Sequence, residues 1–527
     1  MKFSYEKLQN GSDIRGVASD MLGNEINLDD TAITRLSTAF IYLLTVKTGK
    51  RASELKISVG RDSRLTGKHF LDVSISAITA TGASVINAGL ASTPAIFMST
   101  VFPDFLCDGG IMLTASHMPA DRNGMKFFTR SGGLDKGDIT DIISFAESNS
   151  ILSRVSSHSD FHESEKKDNT FNSEKNLPKS SLMERYCKHL REIISAGDPN
   201  FLSDMKISID AGNGAGGFFA KDVLTPLGCD ISSSAFLEPD GTFPNHIPNP
   251  ENKEAMEYAC KLVYDSGADL GIVFDTDVDR SSAVDEHGKK ISGNSIVALA
   301  ASLISDSCKG STVVTDSITS DSLTAFIENE LGMKHLRYKR GYKNVINKAV
   351  ELCDSGIESD LAIETSGHAA YRENYFLDDG AYLAAKIIRR ATLLKKDGKG
   401  ISSLIEGFSE ASEAEEFRLR VMPSADVNDV YNSIISNLKA LAHDSSEIEI
   451  VEPNYEGLRL SFVNYTYMPE KPYGWCLLRK SLHEPLLPVN IESDLQGGVS
   501  RIINLLLPII DMTPEVDSKP MLSFSNP

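Results

Sequence analysis

The sequence has few cysteines, no long apolar run and a shortage of positive charge, and each shortage excludes a class of protein. The seven cysteines are odd in number and scattered, which argues for a reducing compartment and against a disulfide frame or a zinc site. The nearest approach to a membrane span, residues 502–510, is too short and is interrupted by Asn504 and Pro508. We therefore expect no membrane partner.

Acidic residues outnumber basic ones, 73 to 53, for a formal net charge of -20. This balance disfavours nucleic acid as a partner, because a phosphate backbone requires basic patches on the protein. Small phosphate compounds need only a local basic pocket, so a net negative charge does not exclude them as substrates. The start of the chain lacks the apolar core of a signal peptide and the arginine-rich character of a transit peptide. We expect a cytoplasmic protein, with organellar import through a transit peptide outside this sequence as the alternative.

The length of 527 residues is too great for one core and predicts several domains. Strand-like and helix-like segments alternate over most of the chain, which indicates α/β layers. After residue 413 the pattern changes to strands around one helix, residues 427–442, which indicates a smaller α+β domain. Residues 148–181 are rich in Ser, Lys, Glu, Asp and Asn, so we predict a mostly disordered insertion there. The predicted domains are 1–182, 183–303, 304–412 and 413–515, with a tail at 516–527, and the chain after Met512 is expected to be loose.

Residues 114–119, Thr-Ala-Ser-His-Met-Pro, follow an apolar run and end in proline. This pattern predicts a buried strand running into a tight loop with Ser116 at its tip. His117 is its neighbour and Lys126 follows ten residues later. A serine in this setting is placed to carry a chemical group rather than to pack.

Residues 274–280, Phe-Asp-Thr-Asp-Val-Asp-Arg, place three alternating carboxylates and an arginine after an apolar strand. Such a loop supplies part of the oxygen octahedron that Mg²⁺ requires. A calcium EF-hand is disfavoured, because that loop needs glycine where Arg280 stands and a helix before it. An aspartyl-phosphate phosphatase with Asp275 as nucleophile also fits the pattern but leaves Ser116 without a role.

Three further segments carry weaker signals. Residues 210–217 match G-x-G-x-x-G after a strand, which fits a dinucleotide site but fits better a glycine turn that lets a strand and a helix pack closely. Residues 60–64, Gly-Arg-Asp-Ser-Arg, suit anion binding and a strand–helix connection with local ion pairs equally well. Arg15 follows Gly11 closely and precedes Gly16, where the backbone can turn tightly and present its side chain.

Two later segments suit recognition of sugars and phosphate. Residues 364–368, Glu-Thr-Ser-Gly-His, combine a carboxylate, a hydroxyl and an imidazole, which together match the donors and acceptors of sugar hydroxyls. Residues 479–485 follow the strand containing Trp475. Their arginine, lysine, serine and backbone N–H groups form a plausible phosphate cradle.

Taken together and in this order, these segments resemble the α-D-phosphohexomutase family, whose members include phosphoglucomutase and phosphomannomutase. The resemblance covers nearly the whole chain outside residues 148–181 and the tail. It implies three similar α/β domains with mixed sheets and a C-terminal α+β domain of the TATA-binding-protein-like type, around a central cleft. It also implies interconversion of hexose 1-phosphate and hexose 6-phosphate, of glucose or mannose, through a phosphoserine enzyme and a hexose 1,6-bisphosphate. The implied cofactor is Mg²⁺, the implied partners are small-molecule sugar phosphates, and the expected state is a monomer or homodimer.

The resemblance assigns roles to residues of this chain. Ser116 would be the phosphoserine and would hold Mg²⁺ together with Asp275, Asp277 and Asp279. Proton transfer and charge stabilisation would fall to Lys126, His117, Arg15 and His368. The sugar would be bound by Arg280, Lys339, Gly341, Glu364 and Ser366. The phosphate that is not transferred would be bound by Arg479 and Ser481.

The chain departs from the family pattern at four positions. Met118 stands where the family usually has asparagine, and Tyr342 where it often has histidine. Leu482 and His483 replace two polar residues of the phosphate loop. We expect these changes to affect substrate preference and turnover more than fold. The alternatives are a phosphoglucosamine mutase, whose sugar loop tends to have glutamine where this chain has Thr365, and a weakly active or non-catalytic sugar-phosphate-binding homologue.

Overall fold

The structure is a computed structural model that describes residues 4–150, 153, 181–464, 471–481 and 484–525. The chain divides into two compact units, the first formed by residues up to 303 together with 366–405, and the second by 304–365 together with the chain from 406 onwards. The predicted insertion at 148–181 falls almost wholly outside the described residues, as do Leu482 and His483.

Residues 4–150 form a mixed seven-stranded sheet covered by helices. The strands are β1 (Gln9–Asn10), β2 (Asp13–Val17), β3 (Lys56–Arg61), β4 (Ser84–Leu90), β5 (Gly109–Leu113), β6 (Arg122–Thr129) and β7 (Gly132–Gly133). The helices are α1 (Asp30–Thr48), α2 (Gly67–Thr79), α3 (Thr93–Met98) and α4 (Lys136–Glu147). The strand order is β1-β2-β6-β5-β3-β4 with β7 on β6, and β3 runs parallel to both β4 and β5. A core of buried aliphatic and aromatic side chains joins α1, α2 and α4 to the sheet.

Residues 181–303 repeat the α/β arrangement with a smaller sheet. The strands are β8 (Ile207–Asp210), β9 (Leu270–Phe274), β10 (Ser281–Val284) and β11 (Lys290–Ile291), in the order β11-β10-β9-β8. The helices are α5 (Leu182–Ser195), α6 (Lys253–Ser266) and α7 (Asn294–Ser302), with a π-helical turn at Phe219–Leu224. β8 and β9 are parallel, and β10 returns antiparallel to β9 as a hairpin.

The chain from 304 to 405 contributes to both units. In the second unit, β12 (Thr312–Thr315) lies between the parallel strands β13 (Lys334–Arg337) and β14 (Leu361–Ile363), with α8 (Asp321–Ala325) and α9 (Tyr342–Asp354). In the first unit, β15 (Ala369–Tyr371) and β16 (Leu377–Asp378) form an antiparallel pair that leads into α10 (Gly380–Lys396). The α/β layers and mixed sheets predicted from the sequence are thus confirmed.

The second unit ends in an antiparallel sheet with helices packed on its buried residues. The strands are β17 (Glu413–Val421), β18 (Ile448–Ile450), β19 (Leu458–Phe462), β20 (Gly474–Leu478), β21 (Leu486–Ser493) and β22 (Val516–Asp517). The helices are α11 (Val427–Asp444), α12 (Gly498–Ile510) and α13 (Lys519–Ser525). The order is β18-β19-β20-β21-β17-β22.

Two predictions for this region are wrong. A second long helix, α12, joins the predicted one, and its apolar stripe lies in the same core as α11. Its Pro508 falls in the last turn, where it interrupts little of the helix. The chain after Met512 is not loose over 516–525, because β22 pairs with β17 and Met521 is fully buried in the core. In the described part of the chain, no helix combines the length and apolar character needed to cross a bilayer.

Candidate functional site

The serine loop, residues 114–121, joins the antiparallel strands β5 and β6. β5 is buried along its whole length, as its apolar sequence requires, and it delivers Ser116 to a position where only 2% of the residue is exposed. Ser116 has a left-handed backbone, with φ of 50°, and its N–H donates to Thr114 Oγ1 at 2.9 Å. A non-glycine residue in this region is strained and persists only where the surrounding structure holds it.

The aspartate loop, residues 275–280, connects β9 to β10. Its three aspartates are buried, and one carboxylate oxygen from each lies within 4.8 Å of the others. The Oδ1 atoms of Asp277 and Asp279 have no hydrogen-bond partner among the described residues. Buried carboxylate oxygens without donors are costly unless a cation is bound to them. The cluster therefore fits a hard divalent ion with oxygen ligands.

The surroundings of this loop exclude a calcium EF-hand. The loop is flanked by two strands, whereas an EF-hand loop lies between helices. Glu286, which would be the twelfth loop position, accepts instead from the hydroxyl of Ser402.

The serine and aspartate loops meet in the first unit. Ser116 Oγ donates to Asp275 Oδ2 at 3.0 Å, and Arg280 Nη2 donates to Ser116 Oγ at 3.2 Å. Arg280 also contacts Asp275 Oδ2 through its Nε and Nη2 atoms, at 3.3 and 3.2 Å. The hydroxyl thus lies between a carboxylate and a guanidinium, close to the aspartate cluster.

Lys126 extends from β6 into the same cluster. Its ammonium donates to Asp277 Oδ2 at 3.0 Å and also contacts Asp279 Oδ2. The side chain is 5% exposed, so the ion pairs are shielded from water. Lys126 and Arg280 leave the three aspartates with more negative than positive charge in a buried space.

In this environment the pKa values of Asp275 and Asp279 are shifted in opposite directions. Burial and the neighbouring carboxylates of Asp279 and Asp277 raise the pKa of Asp275 well above its usual range. Burial would also raise the pKa of Asp279, but the charges of Lys126, His368 and Arg280 hold it below that range. A divalent cation bound to the aspartates would relieve the repulsion between carboxylates that raises the pKa of Asp275.

Two histidines border the site, and their pKa values are shifted in opposite directions. His117 Nδ1 accepts from Arg280 Nη2 at 2.7 Å, and partial burial together with the charge of Arg280 lowers the pKa of His117. Burial alone would lower the pKa of His368, but Asp378 and Asp279 raise it to about 9. His368 Nδ1 lies 2.6 Å from Asp378 Oδ2. At neutral pH His117 is therefore neutral and His368 is protonated.

Arg15 lies on β2 and pairs with Asp13 at 2.9 Å, Nη2 to Oδ2. Its positive charge contributes to lowering the pKa of His117, which places it in the electrostatic environment of the site. Ser366, also in the first unit, is buried, and its hydroxyl has no hydrogen-bond partner among the described residues.

Two glycines allow neighbouring segments to approach the aspartate loop. A Cβ on Gly214 would lie 2.7 Å from the carbonyl oxygen of Thr276, and one on Gly380 would lie 2.5 Å from the carbonyl carbon of Arg280. Gly214 belongs to the G-x-G-x-x-G match at 210–217. The structure thus favours the close-packing explanation of that motif over a dinucleotide site.

Sequence reasoning missed three residues that hold the site in place. Arg64 belongs to the segment 60–64, whose sequence suits anion binding and a strand–helix connection equally well; it is buried and donates to backbone carbonyls of the serine loop. Thr93 Oγ1 donates to Asp277 Oδ2 at 2.5 Å, and Asp378 contacts His368. Neither Thr93 nor Asp378 lies in a motif, so nothing in the sequence alone could have identified them.

The remaining predicted residues lie in the second unit. Glu364 is buried at the end of β14 and accepts from the N–H of Gly341 at 2.6 Å. Gly341 has φ of 110°, which only glycine adopts readily, so the backbone N–H can turn toward the carboxylate. The side chain of Lys339, two residues earlier, is exposed. Lys339 and Gly341 lie on the loop before α9, and the hydrogen bond from Gly341 brings the Glu364 carboxylate to that loop.

Arg479 is buried at the end of β20, and its Nη2 lies 3.8 Å from Glu416 Oε2. Arg340 Nη1 lies 3.8 Å from the same oxygen. Burial and the nearby charge of Arg340 lower the pKa of Arg479. The hydroxyl of Ser481 accepts from the N–H of Glu484 at 3.2 Å. Two guanidinium groups thus lie close together near Glu416, with the charges of Glu456 and Asp316 also acting on Arg479.

Comparison with known proteins gives a consistent family. Residues 6–150, 184–288 and 292–411 match the models for α/β/α domains I, II and III of phosphoglucomutase/phosphomannomutase. A phosphomannomutase/phosphoglucomutase of Pseudomonas syringae pv. tomato is 29% identical over 492 residues, covering 93% of this chain and 92% of that protein. A phosphoglucomutase of Neisseria meningitidis serogroup A is 27% identical over 512 residues, covering 96% of each.

A solved structure has a similar fold over nearly the whole chain. A phosphoglucomutase/phosphomannomutase family protein from Burkholderia thailandensis superposes with a TM-score of 0.74 at 23% identity, covering 97% of this chain and 98% of its own. At this level of identity the likeness concerns the fold alone. It extends beyond the three matched domains into the terminal sheet.

Proposed function

The chain belongs to the α-D-phosphohexomutase family, and we propose that it interconverts hexose 1-phosphate and hexose 6-phosphate of glucose, mannose or both. The reaction passes through a phosphorylated Ser116 and a hexose 1,6-bisphosphate, which also serves to phosphorylate the free enzyme. The domains of this enzyme are 1–182, 183–303, 304–412 and 413–515.

The position of Ser116 is the observation that carries the proposal. Its hydroxyl lies 3.0 Å from Asp275, within the reach of Arg280, and is almost entirely buried. A structural serine has no need of this combination of carboxylates and cations. A phosphoserine carries a charge of about -1.5 to -2, which the surrounding cations would stabilise.

Mg²⁺ is the cofactor that this donor set supports. Asp275, Asp277 and Asp279 would hold it together with the phosphoserine, because one carboxylate oxygen from each lies within 4.8 Å of the others and the Oδ1 atoms of Asp277 and Asp279 have no hydrogen-bond donor among the described residues. When bound, the ion would neutralise charge on the phosphoryl group as it moves.

The transfer exchanges one phosphate ester for another. The bond from phosphorus to Ser116 Oγ breaks as a bond forms to a hydroxyl oxygen of the sugar phosphate, and the proton of that hydroxyl passes to a base. Phosphoryl transfer depends mainly on alignment and charge stabilisation. Arg280 and Lys126 supply fixed positive charge, and Arg15 adds to it. Protonated His368 can donate a proton, whereas neutral His117, whose Nδ1 accepts from Arg280, would have to give up that hydrogen bond to accept one.

Residues of the second unit would recognise the sugar phosphate. Glu364, Lys339 and Gly341 would supply acceptors and donors for sugar hydroxyls, and Ser366 would supply a hydroxyl, as the resemblance to the family implies. Arg479 and Ser481 would bind the phosphate that is not transferred, through charge-assisted hydrogen bonds. The bisphosphate must bind in two opposite orientations, so a pattern of hydroxyls and a separate phosphate site suit the reaction.

Replacing the serine tests the proposal. Ser116→Ala should reduce conversion of glucose 1-phosphate to glucose 6-phosphate by at least roughly 10⁴-fold while leaving the fold intact. Ser131→Ala, a change at an exposed turn of the same sheet, is the matched control. Full activity in Ser116→Ala would remove this residue from the mechanism. Phosphopeptide mass spectrometry of the wild-type protein should find phosphate on Ser116.

A side-by-side assay would define the substrate. Glucose, mannose, glucosamine and N-acetylglucosamine 1-phosphates should be compared at equal concentration with magnesium and the matching bisphosphate. We expect the glucose and mannose compounds to give the highest kcat/KM. A preference for glucosamine 1-phosphate would instead assign the chain to amino-sugar metabolism.

A further inference from the structure

Arg64 makes a dense set of contacts with the serine loop. Its Nη1 donates to the carbonyl oxygens of Pro119 and Arg122, both at 2.8 Å. Its Nη2 donates to the carbonyl oxygens of Ser116 and Met118, at 2.5 and 2.6 Å. The four terminal N–H groups of the guanidinium are therefore each matched to a backbone carbonyl between residues 116 and 122.

The geometry of the guanidinium suits this task. It is planar, carries its donors in a rigid fork and stays charged when buried, whereas a lysine ammonium is a compact point charge with three donors. Arg64 is only 1% exposed, and Asp62 Oδ2 lies 3.3 Å from its Nε as a buried counter-charge. Asp62 Oδ1 also accepts from the backbone N–H of Arg64 at 2.9 Å, which fixes the Arg64 backbone just beyond the end of β3.

The hydrogen bond from Arg64 to the Ser116 carbonyl helps to fix the backbone conformation of Ser116. The carbonyl of Ser116 is held by Arg64, and the N–H is held by Thr114, so both peptide groups flanking the left-handed Cα are fixed. With the backbone fixed, the Cβ of Ser116 keeps its position and its Oγ lies within hydrogen-bonding distance of Asp275 Oδ2 and Arg280 Nη2. Relaxation of this strained residue would move the hydroxyl away from the carboxylates.

We propose that Arg64 is a positioning residue that holds the serine loop, and through it Ser116, in the geometry required for phosphoryl transfer. This inference rests on the proposed mutase function. Arg64 has no hydrogen bond to Asp275, Asp277 or Asp279 among its described contacts, so it acts through the loop backbone. Its removal should affect turnover rather than affinity for the sugar phosphate.

The test compares Arg64→Ala and Arg64→Lys with a matched control. Arg389→Ala removes another arginine-to-carbonyl bond of the first unit, from Arg389 Nη1 to Ile194 O at 3.0 Å. In both Arg64 variants, kcat should fall about 100-fold, as expected for a misplaced nucleophile, while KM stays within about threefold. Lysine should not restore activity, because it keeps the positive charge but lacks the rigid planar set of N–H donors of the guanidinium. Arg389→Ala should keep wild-type kinetics.

Two further measurements separate positioning from general stability. Guanidinium chloride at millimolar concentration, well below denaturing levels, should restore turnover to Arg64→Ala, while methylammonium should not. Amide hydrogen exchange over residues 114–122 should be at least about tenfold faster in Arg64→Lys, with exchange in α1 unchanged. The exchange measurement requires no activity.

The outcomes distinguish this inference from the proposed function. An active wild-type protein whose folded Arg64 variants keep wild-type kcat overturns the positioning role alone. Loss of fold in both variants, or a loss confined to KM, assigns Arg64 to stability or binding and also overturns it. A wild-type protein that fails to convert any hexose phosphate overturns the proposed function, while faster exchange of the loop in Arg64→Lys would still establish Arg64 as its anchor.

Discussion

Replacing Lys126 by methionine should make the stability of the first unit depend strongly on a divalent cation. Methionine keeps the unbranched aliphatic stem but removes the ammonium that contacts Asp277 and Asp279. The side chain is 5% exposed, so water cannot replace the lost charge. The aspartates are then left as buried charges with one cation fewer.

The size of the effect follows from the geometry. Two unit charges 3.0 Å apart attract by about 5.5 kcal/mol at an effective dielectric constant of about 20. Removing one partner of a buried pair costs about 3–5 kcal/mol in measured cases. With an unfolding entropy of about 2.1 cal/mol/K per residue, this loss lowers the Tm of a unit of this size by about 4–7 °C. A cation at 1,000 times its Kd contributes about 4 kcal/mol and would offset most of the loss.

Scanning calorimetry in chelator and in excess magnesium chloride measures the effect. The difference in Tm between the two conditions should be larger for Lys126→Met than for the wild-type protein. Lys206→Met is the control, since Lys206 donates to the carbonyl of Ser266 at 2.8 Å, outside the site. An equal magnesium-induced shift in all three proteins would refute the reasoning that Lys126 and the cation neutralise the same carboxylates.

Three other changes test the electrostatics and packing. Burial raises the pKa of Glu492 to about 7, so the stabilising contribution of its protonated form is present at acid pH and is lost as the pH rises through 7. Glu492→Gln should flatten the decline in the free energy of unfolding from about pH 5 to pH 8, a change of up to about 3 kcal/mol. An unchanged pH profile of the unfolding midpoint would contradict this. Tyr186→Phe removes the 2.6 Å hydrogen bond to the buried carboxylate of Asp379, which should cost about 1–3 kcal/mol in urea unfolding with an unchanged m-value. Thr93→Val removes the donor to Asp277 and should weaken magnesium affinity about tenfold by titration calorimetry; affinity equal to wild type would show that Thr93 has no part in orienting the ligand.

Elements with strong local signals were predictable from the sequence. The apolar strand predicted before the aspartate loop is present as β9, because a short apolar run between two charged residues suits a buried strand at that length. The helix predicted at 427–442 extends to Asp444, since its apolar spacing follows the helical period. The two loops of the site were identified because unusual polar residues follow such strands directly.

Other features depend on contacts between distant segments and have no local signal. Arg64 has the same sequence context whether its guanidinium faces solvent or the serine loop, and the carbonyls it meets lie more than 50 residues away. For the helix at 498–510, the sequence alone offers only an apolar run at 502–510 that is too short to span a membrane. Its apolar stripe becomes interpretable once the terminal sheet provides a surface for it. The pairing of Val516 with β17 is likewise a tertiary contact that an isolated segment could not reveal.

The serine and its carboxylate partner are separated by 159 positions in the chain. A cation held between them would be an indicator of folding, because no short peptide from either side carries the complete set of ligands. Loss of cation affinity during denaturation should coincide with loss of tertiary structure. A spectroscopic ion placed there, such as Mn²⁺, would then report the assembly of these two distant segments during refolding.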